Sequence, residues 1–183
     1  MNRADIAAAL AAFDGKHKDV LESLAARLTP DARLVRQLCD LSGQEDGKLS
    51  AAATWLLKRF QEDGLTFSEK QSEALLDLLD HAAHGEAHWE TRLHLLQMLP
   101  GLTLPESRKA ALLRLFKSQG YLGDPNRFVR AWSYNALAAL AARFTELRGE
   151  VARLLEAGQG DEAAAVRARL RNIVKQAPWA RGG

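Results

Sequence analysis

The sequence predicts an all-α fold, an α-α superhelix of about five helical hairpins, and three observations predict it. Four segments align in one frame: Ala53-Thr54-Trp55-Leu56-Leu57-Lys58-Arg59, Thr91-Arg92-Leu93-His94-Leu95-Leu96-Gln97, Val129-Arg130-Ala131-Trp132-Ser133-Tyr134-Asn135 and Val166-Arg167-Ala168-Arg169-Leu170-Arg171-Asn172. Their second positions fall at 54, 92, 130 and 167, steps of 38, 38 and 37 residues. Ala and Leu dominate the apolar set while Val and Ile are scarce, which favours helix over strand. No stretch between the copies alternates polar and apolar residues as a strand would. A period of roughly 40 residues under those conditions means one helical hairpin per repeat. Such a hairpin cannot bury its apolar face alone, so neighbouring repeats supply the rest of the core.

Turn signals place the elements in order. Asp14-Gly15 separates a helix over about 3–13 from one over about 17–28. Thr29-Pro30 opens the next, Thr as N-cap and Pro at the first helical position, where its missing N–H costs nothing. It ends near Ser42-Gly43, and the polar run 43–47 leads to the helix of the first copy, which stops at Asp63-Gly64. Ser68 and Gln71 form a capping box for a helix reaching about Ala83. The second copy follows over about 86–99. Thr103-Leu104-Pro105-Glu106 starts a helix ending at Gly120, and Asp124-Pro125 opens the third copy. Thr145 caps a helix ending at Gly158, Asp161 opens the fourth copy, and Pro178 stops it. The five hairpins therefore span about 3–28, 30–63, 68–99, 103–143 and 145–177, one repeat domain over 1–177, with a frayed tail over 178–183. Val129, Trp132, Ala136, Leu137 and Leu140 recur at helical spacing, as do Val166, Leu170, Ile173 and Val174, and these are the expected core columns.

Composition narrows the class. A chain of 183 residues that is 47% hydrophobic and 26% charged is that of an ordinary folded domain. No apolar run approaches the ~18 residues of a membrane span. The first ten residues make a poor signal peptide, and the single Cys39 cannot pair within the chain, so the expected location is cytoplasmic. The net charge of +2 conceals an asymmetry: residues 1–90 hold 10 Lys+Arg against 16 Asp+Glu, residues 91–183 hold 15 against 7. The basic half is where an anionic partner would bind.

The segment Asp124-Pro125-Asn126-Arg127-Phe128-Val129-Arg130 resembles a HEAT repeat, in which an Asp-Pro turn leads into a second helix carrying Val-Arg. Asp161-Glu162-Ala163-Ala164-Ala165-Val166-Arg167 repeats the pattern without the Pro. The second copy keeps Arg92 behind His88 and Trp89, and the first has Thr54 in the arginine column. The resemblance covers roughly residues 30–177. It implies that the Asp and Arg columns brace adjacent repeats, as a guanidinium with five donors can. Arg92, Arg130 and Arg167 then serve structure first. Gln97, Asn135 and Asn172 form a second polar column, expected to hydrogen-bond along the stack.

The candidate binding surface is a basic ridge. Arg167, Arg171 and Lys175 are spaced four apart on the last helix, and Arg127, Arg130 and Tyr134 continue the ridge on the neighbouring repeat. Guanidinium groups beside a tyrosine suit an acidic peptide or a phosphate backbone. His81, His84 and His88, flanked by Asp77, Asp80, Glu86 and Glu90, are the densest set of metal-ligating types, but a turn at Gly85 divides them and the spacing matches no zinc motif; no metal site is expected. Cys39, between Leu38 and Leu41, reads as an inert buried thiol. There is no G-x-S-x-G, P-loop, C-x-x-C or H-E-x-x-H. The alkylpurine DNA glycosylases are built from HEAT-like repeats and carry a catalytic Asp four residues after a Trp. Here the residues four past Trp55, Trp89 and Trp132 are Arg59, Leu93 and Ala136.

The expected function is a non-catalytic α-solenoid scaffold for a protein partner, with no cofactor, no small-molecule substrate and no membrane. The alternative is a nucleic-acid-binding HEAT-like protein, a divergent relative of those glycosylases, acting through the basic C-terminal half.

Overall fold

The computed structural model describes residues 2–84 and 87–180. Among the described residues all regular structure is helical, with ten α-helices joined by short 3-10 turns and loops. None of those helices is long and apolar enough to cross a membrane. The chain divides into two compact units, Met1–Thr103 and Leu104–Gly183.

The first unit holds α1 (Arg3–Ala11), α2 (Asp19–Arg27), α3 (Ala32–Ser42), α4 (Gly47–Glu62), α5 (Glu69–His84) and α6 (Trp89–Met98). Side-chain caps explain most of the boundaries. Asn2 and Asp5 form a capping box on α1. Asp46 accepts from the N–H groups of Lys48 and Leu49 at the start of α4. The expected capping box is present ahead of α5: the Ser68 N–H donates to Gln71 Oε1 at 2.8 Å, and the Gln71 N–H to Ser68 Oγ at 3.3 Å. Gly64 ends the α4 segment in a left-handed conformation, φ 103°, open to glycine without strain. One boundary needs correction. Thr29-Pro30 does not open α3; Asp31 does, its carboxylate accepting from the Leu34 N–H at 2.7 Å, because a carboxylate outcompetes the hydroxyl two residues earlier. The expected start of the second copy, at 86, lies outside the described residues, and the described helix opens at Trp89.

α4 packs against α1, α2, α3 and α6, while α5 packs against both α3 and α6. Every residue from Ser50 to Leu57 is buried as a result. A helix in a single-sided stack would keep an exposed stripe; here α1 and α2 cover it.

The second unit begins with a 3-10 turn, Glu106–Arg108, that runs into α7 (Lys109–Phe116). The helix expected to start at Thr103 and reach Gly120 is thus shorter at both ends. Beyond it Tyr121 is fully buried, edge-on to Phe116 at 5.9 Å between ring centroids. Then come α8 (Arg127–Arg143), a 3-10 turn at Thr145–Leu147, α9 (Arg148–Ala157) and α10 (Ala164–Gln176). α8 packs on α7, α9 and α10. Pro178 lies just beyond α10, as expected, but the residues after it are not frayed. Pro178–Ala180 form a 3-10 turn against α9, Ala180 is buried, and the Arg148 guanidinium lies 5.6 Å from the Trp179 ring. Residues 181–183 of the expected tail lie outside the described residues.

Candidate functional site

The turns that open α8 and α10 are built alike. Asp124, whose place before Pro125 suits an N-cap, is not the cap, and neither is Asp161; each sits two residues before the cap and turns the chain into it. Asp124 Oδ1 accepts from the Asn126 N–H at 2.7 Å, and Asp161 Oδ1 from the Ala163 N–H at 2.8 Å. The arginine six residues later then reaches back. Arg130 Nη1 donates to the carbonyls of Asp124 and Pro125 at 2.8 and 3.2 Å. Arg167 Nη1 donates to the carbonyls of Asp161 and Glu162 at 2.6 and 2.8 Å. Arg92 donates to the Ala87 carbonyl in the same way. Helix-opening turns leave carbonyls without intrahelical donors, and the guanidinium supplies them.

Arg130 does one thing more. Its Nε and Nη2 grip the Asp161 carboxylate at 3.0 and 3.2 Å, and both side chains are only 14% exposed. This fork ties α8 to the turn that opens α10. The hydrogen bond to Arg130 lowers the Asp161 pKa and raises that of Arg130, despite the opposing cost of burial. Arg130 and Arg167 therefore meet at one residue, Asp161, through its carboxylate and its carbonyl.

Tyr134 lies one turn past Arg130 and is buried, its ring against the backbone of Gly158. A Cβ at Gly158 would come 2.5 Å from Tyr134 Cζ, so only glycine admits the ring. Of the six ridge residues, Arg130, Arg167 and Tyr134 are thus committed to packing and bracing, and Arg127, Arg171 and Lys175 are exposed. Arg130, Tyr134, Leu137 and Ala141 share one side of α8 by helical spacing. The matching side of α10 carries Arg167, Arg171 and Val174, and there Arg171 is exposed. The Nε–Nη2 edge of Arg167, the counterpart of the edge that holds Asp161, has no carboxylate among the described residues.

A second surface lies where α10 meets the Trp132 position of α8. The Arg169 guanidinium lies over the Trp132 ring, 3.9 Å from its centroid. One turn earlier on α8, Phe128 is 41% exposed, with the Arg127 guanidinium 5.0 Å from its ring. Burial lowers the Arg169 pKa, and no carboxylate offsets it among the described residues. The sequence held a signal for this pairing: Trp132 and Arg169 occupy the same column of the repeat, one step apart. Asn135 and Asn172 lie three residues further along each helix. Their expected hydrogen bonds along the stack are not present; neither side-chain amide, nor that of Gln97, has a partner among the described residues.

The histidines part company. His81 and His84 are exposed at the end of α5, with His84 Nδ1 2.8 Å from the Asp80 carbonyl, and His88 caps α6. Glu86 and Gly85 lie outside the described residues. Among the described residues no three ligand types gather as a metal site would require. In contrast His94 is buried at the α4–α6 contact, 3.1 Å from Thr54 Oγ1, and desolvation followed by the charge of Lys58 pushes its pKa down to about 3. Burial raises the half-buried Cys39 thiol to about 11, leaving it protonated and unreactive near neutrality.

No family model matches this chain, and no curated protein matches it significantly.

Proposed function

We propose that the chain is a non-catalytic binding module of HEAT-like helical hairpins, stacked as an α-solenoid, that takes an acidic protein partner along the outer side of α10. One observation carries the reading. Arg167 holds the pose of Arg130, locked by two carbonyls of its own turn, yet the edge that in Arg130 grips an aspartate is unmatched. Arg171 and Lys175 extend that edge with two exposed cations that have no carboxylate partner among the described residues. A helix whose opening turn presents an Asp would meet α10 as α10 meets α8. The packing of α3 on α5 and of α4 on α6 supports stacked hairpins, since each helix there contacts the one two places on. Cytoplasmic location belongs to the same proposal.

Affinity capture from a native extract, with nuclease present, tests it. The expected result is a protein captured by the wild-type chain and lost by the Arg171→Glu/Lys175→Glu variant. Capture that survives the charge reversal, or that nuclease abolishes, sinks the reading.

A further inference from the structure

The surface made by Arg127, Phe128, Trp132 and Arg169 is chemically distinct from the outer side of α10. Phe128 and Trp132 are one helical turn apart, so their rings are neighbours on one face of α8. Arg169 reaches that face from α10 and its guanidinium lies over the indole, 3.9 Å from the ring centroid. A guanidinium over an aromatic ring still has N–H groups to donate to a phosphate, and guanidinium planes stack on other planar groups. Neither Arg127 nor Arg169 has a carboxylate partner among the described residues, and the amides of Asn135 and Asn172 beside them are unspent.

We propose that this surface binds single-stranded nucleic acid, with bases stacked on the Phe128 and Trp132 rings and on Arg169, and with phosphates at Arg127 and Arg169. Stacking on aromatic and guanidinium faces requires bases that are out of the duplex, so a single strand fits and a duplex does not. An acidic peptide would use the guanidinium edges but would leave the exposed Phe128 ring without a planar partner. The inference goes beyond the protein-partner reading and uses other residues, so either can fail while the other stands.

The test is fluorescence anisotropy of labelled oligothymidylate and oligouridylate of about twelve nucleotides against the full chain, at about 50 mM salt. Micromolar binding is expected, with a log–log salt slope of about −1.4, the value for two neutralised phosphates on a single strand. Trp132→Ala and Arg169→Gln should each weaken binding about tenfold or more, the loss expected for one stacked base. Arg153→Gln, which removes an exposed cation from α9, should leave it unchanged. Arg127→Gln is a purely surface variant and keeps the test decisive if Trp132→Ala disturbs folding; it should lower both affinity and salt slope. Several outcomes overturn the proposal: no saturable binding at about 100 μM protein, where a single stacked and paired site would show; wild-type affinity in Arg169→Gln and Arg127→Gln; tighter binding of the matching duplex; displacement of the strand by polyglutamate; or equal competition by a mononucleotide, which would mean a nucleotide site and not a strand site.

Discussion

Arg130 and Arg167 make the same two bonds to their own turns, and only Arg130 also holds a carboxylate. Removing each side chain therefore separates the turn brace from the inter-helix fork. Arg130→Ala strands two carbonyls and a largely buried aspartate, and should cost ~1–3 kcal/mol in urea denaturation. Arg167→Ala strands carbonyls alone and should cost clearly less. Arg130→Lys should recover little, because one ammonium cannot serve a carboxylate fork and two carbonyls together. Equal losses for the two alanine variants would show that the Asp161 fork contributes nothing. His94 makes a different prediction. Its pKa falls from 6.5 in the open chain to about 3 in the fold. Between those values the unfolded chain binds the extra proton, so this residue's contribution to stability is full above about 6.5 and is lost as pH falls. The slope approaches about 1.4 kcal/mol per pH unit. Thr54 can keep its hydroxyl bonded to the Ser50 or Ala51 carbonyl, both 3.0 Å away, without the imidazole. His94→Leu should then fold and show a flatter acid limb in chemical denaturation; an unchanged limb would place the acid sensitivity elsewhere.

Helices in this chain are legible where a local rule decides them. Ser68 with Gln71, Asp63 with Gly64, and Pro178 after the last periodic residue all act within a few positions of themselves, and the structure places the boundaries there. Thr29 fails because a stronger acceptor, Asp31, stands two residues on. Asp124 fails as a cap because its carboxylate bonds the cap residue's own N–H, a turn geometry that Asp161 shares and that a cap rule does not distinguish. What no local rule reveals is burial on all sides of α4, since that depends on α1 and α2 folding over it, and so the sequence gives no warning that Thr54 and His94 will face each other. Tyr134 is the other instance. Its phenol reads as a ligand until Gly158 is seen beneath the ring. Gly158→Ala should drive a Cβ into that ring and destabilise the second unit by ~1–3 kcal/mol. Tyr134→Leu in the same chain should recover part of the loss, because the shorter side chain vacates the ring's outer atoms. Additive losses in that double-mutant cycle would mean that the two residues do not meet as described.

Across the whole molecule the all-helical class and the charge asymmetry are legible, and so is the shared column of Trp132 and Arg169; that their side chains meet is not, because it needs α8 and α10 to lie side by side. The charges divide between the two units. Residues 1–103 hold 11 Lys+Arg against 16 Asp+Glu, a net of −5, and residues 104–183 hold 14 against 7, a net of +7. The proposed contact uses the two guanidinium groups of Arg127 and Arg169, so a strand long enough to cover them gains no further phosphate contact from added length. Affinity should therefore level off as an oligonucleotide lengthens from about twelve to about forty-eight nucleotides, beyond the statistical gain from extra registers. The measurement is the same anisotropy titration over a length series at low salt. A chain with a uniform basic surface would instead bind longer strands steadily more tightly and with steeper salt slopes. If this protein does so, the nucleic-acid contact extends well past Trp132 and Arg169.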